Sequence, residues 1–347
     1  MDSDAIRLTD LSHGGGCGCK IAPALLSEIL STLPRPTDDA LMVGAEDSDD
    51  AAVYRIDDRQ ALVATTDFFM PIVDDPFDFG RIAAVNALSD VYAVGGRPVL
   101  ALAVVGMPID TLPVDVIRRI LEGGQAACRT AGVPVAGGHS IDAPEPIYGL
   151  AAVGLVDPRH VKRNGDAQAG DILILGKALG VGVLSAALKK EQLDKDGYAE
   201  MLATTTQLND IGMELAEVSG VHAMTDVTGF GLLGHLMEVC RASRLAARLM
   251  EAHLPALPTA KRLAKGGLST GAAARNWASY GTEIDLSAAL PAWRKDLLCD
   301  PQTSGGLLVS CAPGEAEAVL GLFHERGYGA AAVIGTMVEG SPRITVD

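Results

Sequence analysis

The sequence predicts two domains, an N-terminal α+β layer and a C-terminal α/β unit (α+β / α/β), behind a mobile glycine-rich arm. Three observations carry this. At 347 residues the chain exceeds what one hydrophobic core usually organises, roughly 250–300 residues. Apolar runs of strand length interleave with stretches of helical period. Ahead of both stands Gly14-Gly15-Gly16-Cys17-Gly18-Cys19-Lys20, a backbone too entropic for a good strand or helix.

Residues 1–45 read as the arm: the glycine run, a short helical pattern (Leu25, Leu26, Ile29, Leu30), then a proline-rich break. Such a segment is mobile unless something binds it. The first domain spans 46–156. Residues 51–56 and 61–66 read as strands joined through Asp57-Asp58. Residues 80–94 put Ile82, Val85, Leu88 and Tyr92 at helical spacing, and Gly95-Gly96 ends the pattern. A buried strand at 99–105, a second helix at 114–131 behind Pro113, and strands at 133–136 and 147–156 complete a mixed sheet with helices on one face. The polar stretch 157–171 reads as a linker. The second domain fills 172–347, with strands at 172–175, 223–227, 307–310 and 331–334 and helices at 198–218, 232–242 and 314–326. Residues 252–300 carry no clear pattern.

Composition narrows the function. Apolar residues make up 48% and charged residues 21%, a globular balance. A net charge of −16 repels nucleic acid and anionic lipid, so neither is an expected partner. An anionic nucleotide would bind such a surface only with divalent cations. The acidic N-terminus lacks the apolar stretch of a secretory signal, and the longest nearly apolar run, 99–109, is too short for the ~20 residues of a membrane helix. The expected location is cytoplasmic. There the six cysteines are thiols or ligands before they are disulfides.

Four carboxylates stand in apolar surroundings: Asp50 before a strand, Asp67 and Asp226 at strand ends, and Asp90 on the 80–94 helix with Asn86 one turn earlier. A charge is costly there unless paired or metal-bound. If the four converge, each pair repels by about 4 kcal/mol at ~4 Å and an effective dielectric near 20. Mg²⁺ removes that penalty, because it prefers oxygen ligands shared with phosphates. Taken singly, each could merely cap a helix or turn. Cys17 lies three residues before Lys20, whose ammonium favours a thiolate; a disordered tail with incidental cysteines is the plainer alternative. Gly137-Gly138-His139-Ser140 follows a short strand and could cradle phosphate or serve only as a turn. Gly229-Phe230-Gly231-Leu232-Leu233-Gly234 fits a dinucleotide fingerprint, but Asp226 just before it opposes a pyrophosphate. No P-loop or kinase signature is present.

Six motifs in order give these residues a family. Ser12-His13-Gly14-Gly15-Gly16-Cys17-Gly18-Cys19-Lys20, Asp49-Asp50-Ala51-Ala52-Val53-Tyr54, Thr65-Thr66-Asp67-Phe68-Phe69-Met70-Pro71, Gly137-Gly138-His139-Ser140, Met224-Thr225-Asp226-Val227-Thr228-Gly229-Phe230-Gly231 and Cys299-Asp300-Pro301-Gln302-Thr303-Ser304-Gly305-Gly306 together resemble selenophosphate synthetase (selenide, water dikinase) over nearly the whole chain. The resemblance implies an aminoimidazole ribonucleotide synthetase-like fold that dimerises through its N-terminal sheet. It also implies conversion of ATP, selenide and water to selenophosphate, AMP and orthophosphate. By motif, Asp50, Asp90 and Asp226 resemble Mg²⁺ ligands. Lys20, Asp47, Ser48, Asp49, Asp67, Asp90, Gly138, His139 and Ser140 resemble ATP contacts, and Cys17 with Lys20 the catalytic pair. A selenium-delivering protein is a further implied partner. Competing readings are a nicotinamide-dependent oxidoreductase using the 229–234 loop, a thiol or selenium carrier that consumes no ATP, and ATP-dependent activation of another acceptor.

Overall fold

A computed structural model of the chain describes residues 6–32, 38–44 and 48–347. In the arm, a 3-10 turn at Leu8–Leu11 and another at Cys17–Cys19 precede α1 (Pro23–Leu30). The first layer holds β1 (Leu41–Val43), β2 (Ala52–Arg55), β3 (Ala61–Phe69), α2 (Pro76–Ala93), β4 (Arg97–Met107), α3 (Val114–Thr130), β5 (Val135–Asp142) and β6 (Ile147–Val156). Its sheet runs β1-β2-β3-β6-β4-β5, antiparallel except where β4 meets β5. Alternation along β3 separates its two faces: Ala61, Val63, Asp67 and Phe69 are buried, while Ala64, Thr66 and Phe68 are exposed.

The buried face receives α2, which begins at Pro76 with Asp75 accepting the Asp78 backbone N–H. This helix is buried on every side because α3, the sheet and the second domain all press on it. Its contact with α3 is backbone to backbone. A Cβ on Gly80 would stand 1.9 Å from the Ile120 carbonyl oxygen, and one on Gly123 2.0 Å from that of Phe77. The opposite face has no cover: Phe68, Leu102 and Ile141 are exposed on it, and the register sets Phe68, Gly149, Val104 and His139 in one row across it.

The second layer contains β7 (Ile172–Leu175), α4 (Val181–Lys189), α5 (Lys195–Thr205), α6 (Gly212–Glu217), β8 (Val221–Asp226), α7 (Gly231–Ser243) and β9 (Ala246–Leu249). It continues through α8 (Pro258–Lys265), α9 (Gly271–Tyr280), β10 (Ile284–Leu286), α10 (Ala292–Leu298), β11 (Leu307–Cys311), α11 (Ala316–Glu325), β12 (Ala332–Val338) and β13 (Arg343–Val346). The sheet order is β10-β13-β9-β12-β7-β11-β8, with parallel pairing only at β10/β13 and β13/β9. The two-layer α+β and α/β expectation therefore holds as a pair of mixed sheets.

Three local expectations differ. The helix expected over 198–218 is two, because Thr204, Thr205 and Thr206 turn their hydroxyls back onto carbonyls four residues earlier as α5 ends. The Gly137–Ser140 loop is strand. Gly138, at φ +156, passes so close to β4 that a Cβ would meet the Ala103 carbonyl oxygen at 2.1 Å. The unpatterned 252–300 stretch folds as short helices around one short strand. The arm, expected to be free unless bound, is seated: Arg7 pairs with Asp74 at 3.1 Å, Lys189 Nζ donates to the Ser12 carbonyl at 2.7 Å, and Arg275 donates to that of Gly18 at 3.1 Å. Among the described residues no helix is long and apolar enough to cross a membrane.

Candidate active site

Because α2 is wedged between the two sheets, its polar stripe faces both Asp50 ahead of β2 and Asp226 at the end of β8. Asp50, Asp90 and Asp226 each bring a carboxylate oxygen to within 4.8 Å of the other two. Thr65 Oγ1 donates to Asp90 at 2.6 Å and Thr225 Oγ1 to Asp50 at 3.1 Å. Asp226 hydrogen-bonds with Ser89, while its Oδ2 is buried without a partner. All three carboxyls are pushed above the ordinary carboxylate range. Burial is the main cause for each, and for Asp50 and Asp90 the Asp226 charge comes next. A buried, oxygen-only donor set with an orphaned carboxylate oxygen fits a hard divalent cation such as Mg²⁺.

A second node joins this cluster to the arm. On β3, Asp67 Oδ2 accepts from Lys20 Nζ at 2.9 Å and from Asn86 Nδ2 at 2.8 Å. Asn86, fully buried one turn before Asp90, uses its Oδ1 to accept from the Ser304 backbone N–H at 2.8 Å and the Cys17 thiol at 3.3 Å. The Cys17 N–H donates to Thr303 Oγ1 at 3.1 Å. Sequence alone suggests that Lys20 favours a thiolate at Cys17. Here burial outweighs the Lys20 charge, Asp67 opposes it, and the thiol is pushed well up.

The remaining candidates divide. Asp49 Oδ1 accepts the Asn164 N–H at 2.7 Å, and Ser48 turns the chain at φ +55. Asp47 lies outside the described residues. Gly138, His139 and Ser140 sit on edge strand β5, three strand steps from the Asp67 strand, or about 14 Å at ~4.8 Å per step. One chain alone does not bring them to the carboxylates. The dinucleotide reading of 229–234 fails on geometry. Its strand, β8, is an antiparallel edge strand, and a Cβ on Gly229 would meet the Cys17 carbonyl oxygen at 2.7 Å. Gly229 makes room for the arm, while Gly231 packs against Cys299 and Gly234 against Phe230 and Tyr280.

Sequence reading left the 299–306 segment without a role. Gln302 Oε1 accepts the Gly180 and Val181 N–H groups at 2.9 and 3.0 Å, and Asp300 Oδ2 that of Val183 at 3.0 Å, so the segment caps α4 from outside. Through Thr303 and Ser304 it also grips the arm and Asn86. Thr65 and Thr225 stand in motifs beside Asp67 and Asp226 but carry no signal of their own, and Thr303 lies in a motif with no singled-out residue.

Two family models cover the chain: AIR synthase related protein, N-terminal domain, over residues 48–156, and its C-terminal domain over residues 168–347. The two domains are thus those of AIR synthase related proteins. The chain is 63% identical to selenide, water dikinase of Paraburkholderia xenovorans, covering 99% of this chain and 98% of that protein. To selenide, water dikinase of Dechloromonas aromatica it is 59% identical, with 100% of both chains covered. Among solved structures it is similar to that of a HypE–HypF complex (TM-score 0.70, 17% identity, 94% of this chain and 96% of that one). It is also similar to the hydrogenase maturation protein HypE in complex with ATP (TM-score 0.62, 19% identity, 98% and 94%). The chain belongs to the selenide, water dikinase family of enzymes.

Burial pushes Asp300 up to about 7, against the donors that surround it. The folded chain then holds a proton between about pH 4 and 7 that the unfolded chain has released, so this group's contribution to stability is lost as pH rises through that window. Asp300→Asn can still accept from Val183 and can donate to Thr270. We expect its unfolding midpoint in urea to depend less on pH between 5 and 7.5 than that of the parent. An unchanged pH slope would mean that Asp300 is ionised throughout.

Proposed function

We propose that the chain makes selenophosphate from ATP, selenide and water, releasing AMP and orthophosphate, at the site between its two layers. The observation that carries this reading is the three-carboxylate cluster with its orphaned Asp226 oxygen, set beside the Lys20–Asp67–Cys17 node. Asp50, Asp90 and Asp226 would hold Mg²⁺. Bound there, Mg²⁺ supplies charge neutralisation that lets an anionic nucleophile approach a triphosphate. Lys20 offsets further phosphate charge from the arm, and Asp67 with Asn86 fixes its direction. Ser48 and Asp49 line the nucleotide side, and Asp47 joins them as an ATP contact by motif alone. Hydroselenide is already deprotonated at neutral pH, so the chain needs positioning more than general-base help. The seated arm excludes water until the first transfer is complete, and it must open for nucleotide exchange. Cys17 holds selenium for that transfer and does not become phosphorylated. The selenium itself comes from a delivering protein.

Asp226→Asn tests the cation reading. Removing one of three repelling carboxylates should raise the thermal midpoint of the metal-free protein by a few degrees, from roughly 1–2 kcal/mol at ~2–4 °C per kcal/mol. Added Mg²⁺ should then stabilise it far less than the parent, and selenide-dependent AMP should vanish. A Mg²⁺-induced shift equal to the parent's would sink the assignment.

For Cys17, phosphorus NMR of Mg-ATP with selenide under anaerobic, reducing conditions is decisive. The parent should yield a phosphorus–selenium resonance with AMP and orthophosphate, and Cys17→Ser should lose it. Selenophosphate made by Cys17→Ser at the parental rate would remove Cys17 from the mechanism.

The uncovered apolar face of the first sheet supports a homodimer, in which His139, in the Phe68 row, and its neighbours Gly138 and Ser140 reach the partner's nucleotide. Phe68→Glu should then sediment as a monomer and lose turnover. A parent chain that is itself monomeric, or a variant that stays dimeric, overturns this.

A further inference from the structure

Behind the arm, on the side away from the carboxylates, lies a cleft of about 350 Å³ between the 13–18 segment, α4 and α9. Its lining includes Lys189, Lys190 and Arg275 and not one carboxylate, although the chain carries a net charge of −16. Lys189 and Arg275 spend hydrogen bonds on the carbonyls of Ser12 and Gly18. Among the described residues no salt bridge neutralises either of them, or Lys190. The remaining basic group, His13, is already paired with Glu145 at 2.8 Å. The cleft therefore presents three exposed cations with no salt-bridge partner at its rim, an arrangement that attracts small anions.

The arm forms the floor of this cleft through Gly14, Gly15 and Gly18. Ile72 and Thr303 line it, and the same two side chains clamp Gly16: a Cβ there would lie 2.3 Å from Ile72 Cγ2 and 2.4 Å from Thr303 Oγ1. On the far side of the clamp stands Cys17, its N–H held by Thr303 Oγ1 at 3.1 Å. Gly15 and Gly18 also border the cleft, so the arm meets it with backbone on both sides of Cys17.

We propose that this cleft is the binding port for the hydroselenide anion, which reaches Cys17 when the Gly14–Gly16 stretch lifts from Ile72 and Thr303. This rests on the reaction proposed above. Selenide saturation curves, read as AMP formation under anaerobic conditions at fixed saturating Mg-ATP, test it. Lys190 is exposed and makes no side-chain contact with the arm, so Lys190→Glu reverses a charge without disturbing the arm's anchors. It should raise the KM for selenide about tenfold, the low end of electrostatic focusing effects, and leave the KM for ATP within twofold. Ala186→Trp, which fills the cleft without changing charge, should lower kcat/KM for selenide at least as much. Arg343→Glu, the same charge change on β13, should alter neither constant. Raising ionic strength should raise the parent's selenide KM and flatten the difference from Lys190→Glu. Unchanged selenide KM in both cleft variants would overturn the port, as would equal rises for ATP and selenide. If the parent itself forms no selenide-dependent AMP, the reaction assignment has failed instead, a result that no port variant can mimic.

Discussion

Three carboxylates within 4.8 Å of one another, all mostly enclosed, set the problem that the rest of the molecule solves. At the several kcal/mol of repulsion that each close pair carries, such a cluster disperses unless stiff elements hold it. The stiff element is α2. Its backbone lies against α3 where Gly80 and Gly123 leave no room for a Cβ, one sheet covers its flank, and α5, α6 and β8 of the second layer press on the other side. Asp90 cannot swing away without moving a helix buried on all sides. Asp226 is fixed in turn by β8, whose pairing with β11 runs up to Asp226 itself. The strain is spread over two cores and offset there by apolar burial, while the orphaned Asp226 oxygen keeps the cluster chemically hungry.

Asn86 links that cluster to the arm. Its single side chain joins three separate pieces: β3 through Asp67, the 299–306 segment through Ser304, and the arm through Cys17. An aspartate in its place could not donate to Asp67, and a leucine could satisfy none of the three. The arm's glycines follow from the same crowding, since Gly16 is clamped between Ile72 and Thr303 while Gly229 yields space to the Cys17 carbonyl. Flexibility read from the sequence as mobility is spent here on close approach. The two views are compatible, because a segment held by a few polar contacts can open at modest cost.

Much of this was legible in the sequence, and the misses have physical reasons. The strands read at 61–66, 99–105, 147–156 and 172–175 announced themselves because one face, or both, is buried, and burial writes a periodic pattern, although two of them run longer, to Ala61–Phe69 and Arg97–Met107. Residues 252–300 stayed silent because short helices bury only a few small residues each, such as Ala260 and Ala264 on α8, too few turns to show a period. The Gly137–Ser140 strand was hidden by its glycines, which signal turns in general but here permit tight pairing with β4. Asp50, Asp67, Asp90 and Asp226 were visible as charges in apolar company. Thr303 was not, because its part is played across more than 280 residues of sequence, with Cys17, and no local pattern encodes such a contact.

The overall charge and the local charges point in opposite directions, and that opposition gives the site its sidedness. A surface at −16 repels every anion that the proposed reaction uses, so each must be admitted by a local exception. On the inner side of the arm the exception is a set of carboxylates that, in the proposed reaction, takes the nucleotide together with its cations. On the outer side it is a patch of Lys189, Lys190 and Arg275 without acidic neighbours in the cleft wall, which admits an anion without any metal. Lys20 stands between them, tied to Asp67. The arm lies between the two, and its tight seat there requires glycine: a Cβ on Gly16 would strike both Ile72 and Thr303.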